Sequence, residues 1–95
     1  MIHATNAALN LVRQERLRQE RLKAEGRFVA TCADNVMTPC EKLAVLAEEV
    51  GEAAKEALTL PERQLATDSL GSIDKLRAEL VHVAAVAVAW VESLD

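Results

Sequence analysis

Four acidic side chains and one histidine stand out by type and spacing. In Glu48-Glu49-Val50-Gly51-Glu52, a helical backbone puts Glu49 and Glu52 at i and i+3, and Glu48 and Glu52 at i and i+4. Like charges so spaced oppose the helix by about 0.2–0.5 kcal/mol per pair, a cost that a shared cation removes. Glu79 and His82 repeat the i, i+3 spacing later in the chain. Carboxylates crowded at a partly buried place either protonate or hold a cation. Their hard oxygens select Mg²⁺ or Mn²⁺, ions that readily take phosphate oxygens as further ligands. An EExxE run alone is common on exposed helices. Its combination with an ExxH pair on an apolar segment points to metal, provided the two segments pack antiparallel.

The segments that carry these residues read as helices. Thr38-Pro39-Cys40-Glu41 joins a capping hydroxyl, proline at the first helical position and a glutamate three residues after the cap, which is a capping box. From it a helix is predicted to about Leu58, with Leu43, Leu46, Ala47, Val50, Ala54 and Ala57 as its core stripe. Thr59-Leu60-Pro61-Glu62 repeats the cap pattern and predicts a short helical turn ahead of a break at Gly71. Ser72 then caps a last helix, about Ile73 to Leu94, with Leu76, Leu80, Val83, Ala87, Trp90 and Leu94 on one stripe. Val81, Ala85, Val88 and Ala89 cover much of its other side, so this helix calls for burial all round. One chain of 95 residues is too small to supply that cover, and a second copy is the expected source.

Upstream, residues 5–25 read as a helix with a charged surface, opened by Thr5 or Asn6 and closed by Gly26. It holds an adjacent duplication, Arg13-Gln14-Glu15-Arg16-Leu17 and Arg18-Gln19-Glu20-Arg21-Leu22. A five-residue step turns about 500° around a helix, so the two copies do not share a face. Residues 27–36 read as a loop carrying Phe28 and Cys32.

Composition agrees with an all-α class and a single domain over residues 1–95. Strand-forming aromatics are scarce, with one Phe, one Trp and no Tyr. The net charge of −4 argues against a nucleic-acid surface. Charge is nonetheless uneven: residues 1–40 carry six basic and four acidic side chains, and residues 41–95 carry five and eleven. The second half therefore needs a cation. The longest apolar run, Val83 to Val91, is far short of the roughly twenty residues that span a bilayer. With no signal-peptide pattern at the start, a cytoplasmic protein that spans no membrane is expected. Cys32 and Cys40 fit neither a zinc knuckle nor a redox pair and read as packing or loop thiols.

The runs Leu43-Ala44-Val45-Leu46-Ala47-Glu48-Glu49-Val50-Gly51-Glu52-Ala53-Ala54 and Glu79-Leu80-Val81-His82-Val83-Ala84-Ala85-Val86-Ala87-Val88-Ala89-Trp90 resemble the MazG-like nucleoside triphosphate pyrophosphohydrolases, particularly small phage and prophage members. The resemblance covers roughly residues 13–95. It implies a four-helix-bundle-like fold completed by assembly into dimers or tetramers, and Mg²⁺-dependent conversion of (d)NTP to (d)NMP and pyrophosphate, with Mn²⁺ as the other candidate cation. Carried over by position, Glu49, Glu52 and Glu79 match the metal-binding carboxylates. Glu48 matches the first Glu of the EExxE pattern, an additional ligand or water-orienting catalytic residue.

His82 stands where that family has Asp, which removes one anion and brings in a nitrogen donor that favours Mn²⁺ or a transition metal. It reads equally as a packed histidine. Lys23, Arg27, Lys75 and Arg77 are the candidate phosphate partners, Phe28 the candidate base-stacking residue, and Trp90 reads as core. Two other readings stay open: a non-catalytic helical oligomer that binds nucleotide or a protein partner, and a change of substrate as in the phosphoribosyl-ATP pyrophosphatases.

Overall fold

A computed structural model describes residues 2–60 and 70–95 as three helices and no strands: α1 (Ile2–Ala24), α2 (Pro39–Thr59) and α3 (Leu70–Ser93). The all-α expectation holds for these residues. The short turn expected after Thr59-Leu60 falls on residues 61–69, outside the described part.

Local chemistry sets several of the helix ends. Thr38 Oγ1 accepts from the Glu41 N–H at 3.1 Å while Glu41 Oε1 accepts from the Thr38 N–H at 2.8 Å, so the capping box forms with Pro39 in the first turn. Gly26 adopts φ +77° and closes α1. Behind it the Arg27 N–H reaches the Leu22 carbonyl at 2.8 Å and the Gly26 N–H reaches Lys23 at 3.0 Å, the paired bonds of a Schellman stop. Two starts differ from expectation. α1 begins at Ile2, so Thr5 and Asn6 lie inside it, and α3 begins at Leu70, so Gly71 and Ser72 continue the helix rather than break and cap it.

α3 is the central element and packs against both of the others. Lys42 meets Ser93 near one end of the α2–α3 seam and Glu49 meets Glu79 and His82 further along, so the two helices run antiparallel. Along α1 the contacts advance from Glu15 with His82 to Arg16 with Glu92, in the same direction as α3. The core is small: Cys32, Val86 and Ala89 are buried, with Met37, Val45, Leu46 and Trp90 packed against them. Ala85 and Ala89 have no exposed surface, and their small side chains let the neighbouring elements approach α3 closely. Trp90 is core, as expected.

The apolar stripes sit at different angles from those predicted. On α2, Leu43 and Val50 are about half exposed and Ala47, Ala54 and Ala57 are exposed; only Leu46 of the predicted stripe packs inward. The inward face carries Lys42, Val45, Glu49 and Ala53 instead. On α3, Leu80 and Leu94 are exposed while Ala85, Val86 and Ala89 are buried. Polar contacts account for this rotation. The buried Lys42 ammonium donates to Ser93 Oγ at 2.8 Å, and that hydroxyl donates to the Trp90 carbonyl at 2.6 Å, placing a positive charge at the carbonyl end of α3.

Arg16 does the corresponding work between α1 and α3. Buried itself, it grips Glu92 with Nε at 3.1 Å and Nη2 at 2.8 Å, reaches Glu20 at 2.8 Å through Nη2, and donates to Gln19 Oε1 at 2.8 Å through Nη1. Glu20 Oε2 accepts in turn from the Thr31 hydroxyl at 2.8 Å, which fastens the 25–38 linker to α1. The Arg16 hydrogen bond holds the Glu92 carboxyl below the ordinary range. Burial pushes Glu20 up, but the hydrogen bonds and charge of its partners outweigh it, and Glu20 also ends below. Groups lowered in this way stabilise the fold above the ordinary glutamate value of 4.5, and that contribution is lost as pH falls through their depressed values. Arg16→Met is therefore expected to cost about 2 kcal/mol at pH 7, moderated because both carboxylates stay half-solvated. Urea unfolding at pH 7 and pH 3 checks this: the gap between wild type and variant should narrow in acid, and a loss under about 0.5 kcal/mol at pH 7 contradicts it.

Candidate metal centre

The antiparallel seam places Glu49 of α2 opposite Glu79 and His82 of α3, which are one turn apart. His82 Nδ1 lies 3.5 Å from Glu79 Oε2 and 3.8 Å from Glu49 Oε2, and one donor atom from each of the three residues falls within 4.8 Å of the others. None of these separations is a hydrogen bond. They match the spacing of donors around a single cation, and all three side chains are partly buried. On its other side, His82 Nε2 faces Glu15 Oε2 of α1 at 3.9 Å.

The electrostatics call for positive charge. Burial pushes the Glu49 carboxyl up; the His82 ring opposes this, and the charges of Glu79, Glu48 and Glu52 add to the rise. The donor set fits a divalent ion, with two carboxylate oxygens suited to Mg²⁺ or Mn²⁺ and an imidazole nitrogen that shifts preference toward Mn²⁺.

Not every expected residue joins the group. Glu52, expected as a ligand, is exposed and lies outside the three-residue cluster. One turn before Glu79, α3 offers Lys75 and Leu76, neither of which can extend a metal site toward it. Glu48 is exposed beside Glu49 and contributes its charge to Glu49 rather than a donor atom to the cluster.

A cavity of about 310 Å³ opens from Glu49 and His82 and runs between α1 and the linker, past Arg18, Gln19, Phe28, Thr31 and Cys32. Phe28, the candidate base-stacking residue, lines this cavity. The predicted cations do not. Lys23 pairs with Asp34, Arg27 and Lys75 are exposed, and Arg77 pairs with Asp74 at 2.7 Å beside a second cleft that also reaches His82. Arg18 borders both clefts, paired with Glu15 at 2.9 Å. Glu15, Arg18 and Gln19 were missed, although their i, i+3, i+4 spacing marks one helix face. Burial pushes the Cys32 thiol up, in keeping with a packing role, whereas Cys40 is exposed.

Compared with known protein families, with curated proteins and with solved structures, the chain matches none.

Because the Glu49 carboxyl is raised, its charge costs stability, and the cost grows as pH rises through the raised value; below the ordinary glutamate value it is absent. Glu49→Gln should therefore stabilise the metal-free protein at pH 7, by about 0.5 kcal/mol, the scale of relieving like-charge pairs. Thermal unfolding with chelator present checks it, with the gain vanishing below pH 4. Destabilisation at pH 7 would mark Glu49 as a structural residue.

Proposed function

We propose that this chain is a divalent-cation-dependent nucleoside triphosphate pyrophosphohydrolase of the MazG-like type, converting (d)NTP to (d)NMP and pyrophosphate. The observation that carries the reading is the Glu49, Glu79 and His82 cluster opening directly onto a cavity that contains an aromatic ring and an arginine. A divalent cation here would supply positive charge for the triphosphate oxygens and lower the pKa of an attacking water. Glu49 and Glu79 would hold it with oxygen donors, and His82, with Glu15 on the far side of its ring, would supply the nitrogen. Arg18 is close enough to the same mouth to turn from Glu15 toward a phosphate, and Phe28 offers a face to a base. No nucleophilic side chain is needed, because water is the attacking group.

Assembly from two or more copies belongs to the same reading. Leu43, Val50 and Leu58 on α2, with Leu80, Val88, Val91 and Leu94 on α3, supply apolar surface for it. Among the described residues, no helix is long and apolar enough to cross a membrane, so a lipid core is not the cover these faces would take. Light scattering at micromolar concentration should give a multiple of 10.3 kDa; a stable monomer contradicts the assembly.

Pyrophosphate release over a panel of ribo- and deoxynucleoside triphosphates, with Mg²⁺ and with Mn²⁺, tests the activity. Wild type should turn over. Glu15→Gln should lose roughly 10–100-fold, the usual effect of removing an outer partner of a metal ligand, and Glu49→Ala and Glu79→Gln should lose more. His82→Asp should retain or raise turnover with Mg²⁺ by replacing nitrogen with oxygen. If wild type and a folded His82→Asp are both inactive with either ion, the non-catalytic oligomer is the better reading.

A further inference from the structure

Gln19 is nine-tenths buried on α1 and borders the cavity near Phe28 and Thr31. The Arg16 guanidinium fixes its amide by donating to Oε1 at 2.8 Å. A guanidinium carries no acceptor, so the carbonyl end of the amide must be the one facing Arg16. Arg16 cannot readily turn away, being held by Glu20 and by both oxygens of Glu92. The Nε2 end has no hydrogen-bond partner among the described residues, and a buried amide donor left unpaired calls for an occupant. The neighbouring Thr31 groups do not compete, since its N–H goes to Asp34 and its hydroxyl to Glu20.

A freely rotating glutamine can read an adenine edge, donating to N7 and accepting from the 6-amino group. Pinned by Arg16, Gln19 can only donate. We propose that Gln19 is a specificity-determining residue that selects nucleobases with a carbonyl oxygen at pyrimidine C4 or purine C6, against bases with an amino group there. This rests on the nucleotide-hydrolase reading of the same cavity. Uracil, thymine, guanine and hypoxanthine present an acceptor at that position, whereas cytosine and adenine present a second donor there.

The test is calorimetric binding of nucleoside monophosphates in the presence of Mg²⁺, using pairs that differ at that position: IMP with AMP, and UMP with CMP. Wild type should bind the keto member at least about tenfold more tightly in each pair, because a site built to donate rejects the analogue without the acceptor. Gln19→Leu should bring both ratios near one. Gln19→Glu keeps an acceptor for Arg16 and turns a carboxylate oxygen to the ligand, so it should favour AMP and CMP. Circular dichroism checks that the variants fold; if neither does, the wild-type ratios decide alone. Ratios near one in wild type, or ratios unchanged in both folded variants, overturn the proposal. If triphosphates are hydrolysed while the ratios stay near one, this proposal alone falls. If no monophosphate binds and no triphosphate is hydrolysed, the nucleotide reading falls and takes the proposal with it.

Discussion

A guanidinium withdrawn from water must find acceptors for its donors, and Arg16 finds them on two helices at once. Glu92 lies near the C-terminal end of α3, Gln19 and Glu20 lie on α1, and Glu20 extends the network to Thr31 in the linker. Because these acceptors must converge on one planar group, the position of α1 along α3 and the path of the linker are set together. The cavity beside the acidic cluster is bounded by those two elements. Its wall, and the direction in which Gln19 presents its amide, thus follow from satisfying one buried charge.

The same logic explains why α2 presents a polar face to α3. Lys42 anchors one end of the seam through Ser93, and further along Glu49 is brought to Glu79 and His82. Between them Val45 and Leu46 of α2 and Trp90 pack against Val86 and Ala89 of α3, and the fully buried Ala85 and Ala89 permit close approach. The seam therefore combines a small apolar core with a half-buried Glu49 whose carboxyl is pushed up by burial and by its acidic neighbours. The apolar residues displaced from the seam lie on the outer faces of α2 and α3, where they serve the proposed assembly.

The features legible in the sequence were those that neighbouring residues decide. The box of Thr38 and Glu41, the stop at Gly26, the loop holding Phe28 and Cys32, and the helical class all follow from local chemistry. So did the pairing of Glu49 with Glu79 and His82, because i, i+3 spacing on two antiparallel helices leaves few ways to arrange them. The rotation of α2 was not legible. Hydrophobicity pointed Leu43 and Val50 inward, whereas Lys42 and Glu49 took the inner face through partners far along the chain. Arg16 and Gln19 were hidden for the same reason: within a run rich in Arg, Gln and Glu, nothing local tells which member a distant carboxylate such as Glu92 will bury. Glu52 fell outside the cluster because the metal-site spacing continues on α2 but meets no donor on the facing stretch of α3.

The central claim is that Glu49, Glu79 and His82 share a divalent cation. Electron paramagnetic resonance of Mn²⁺ titrated into the purified protein tests it most directly, since bound and free ion give distinct signals without any need for substrate or turnover. One saturable site per chain is expected, competed by excess Mg²⁺, carrying nitrogen coupling from His82 that disappears in His82→Asp, and lost in the Glu49→Gln, Glu79→Gln double variant. Binding that is absent, that survives the double variant, or that lacks nitrogen coupling in the wild type would contradict the account.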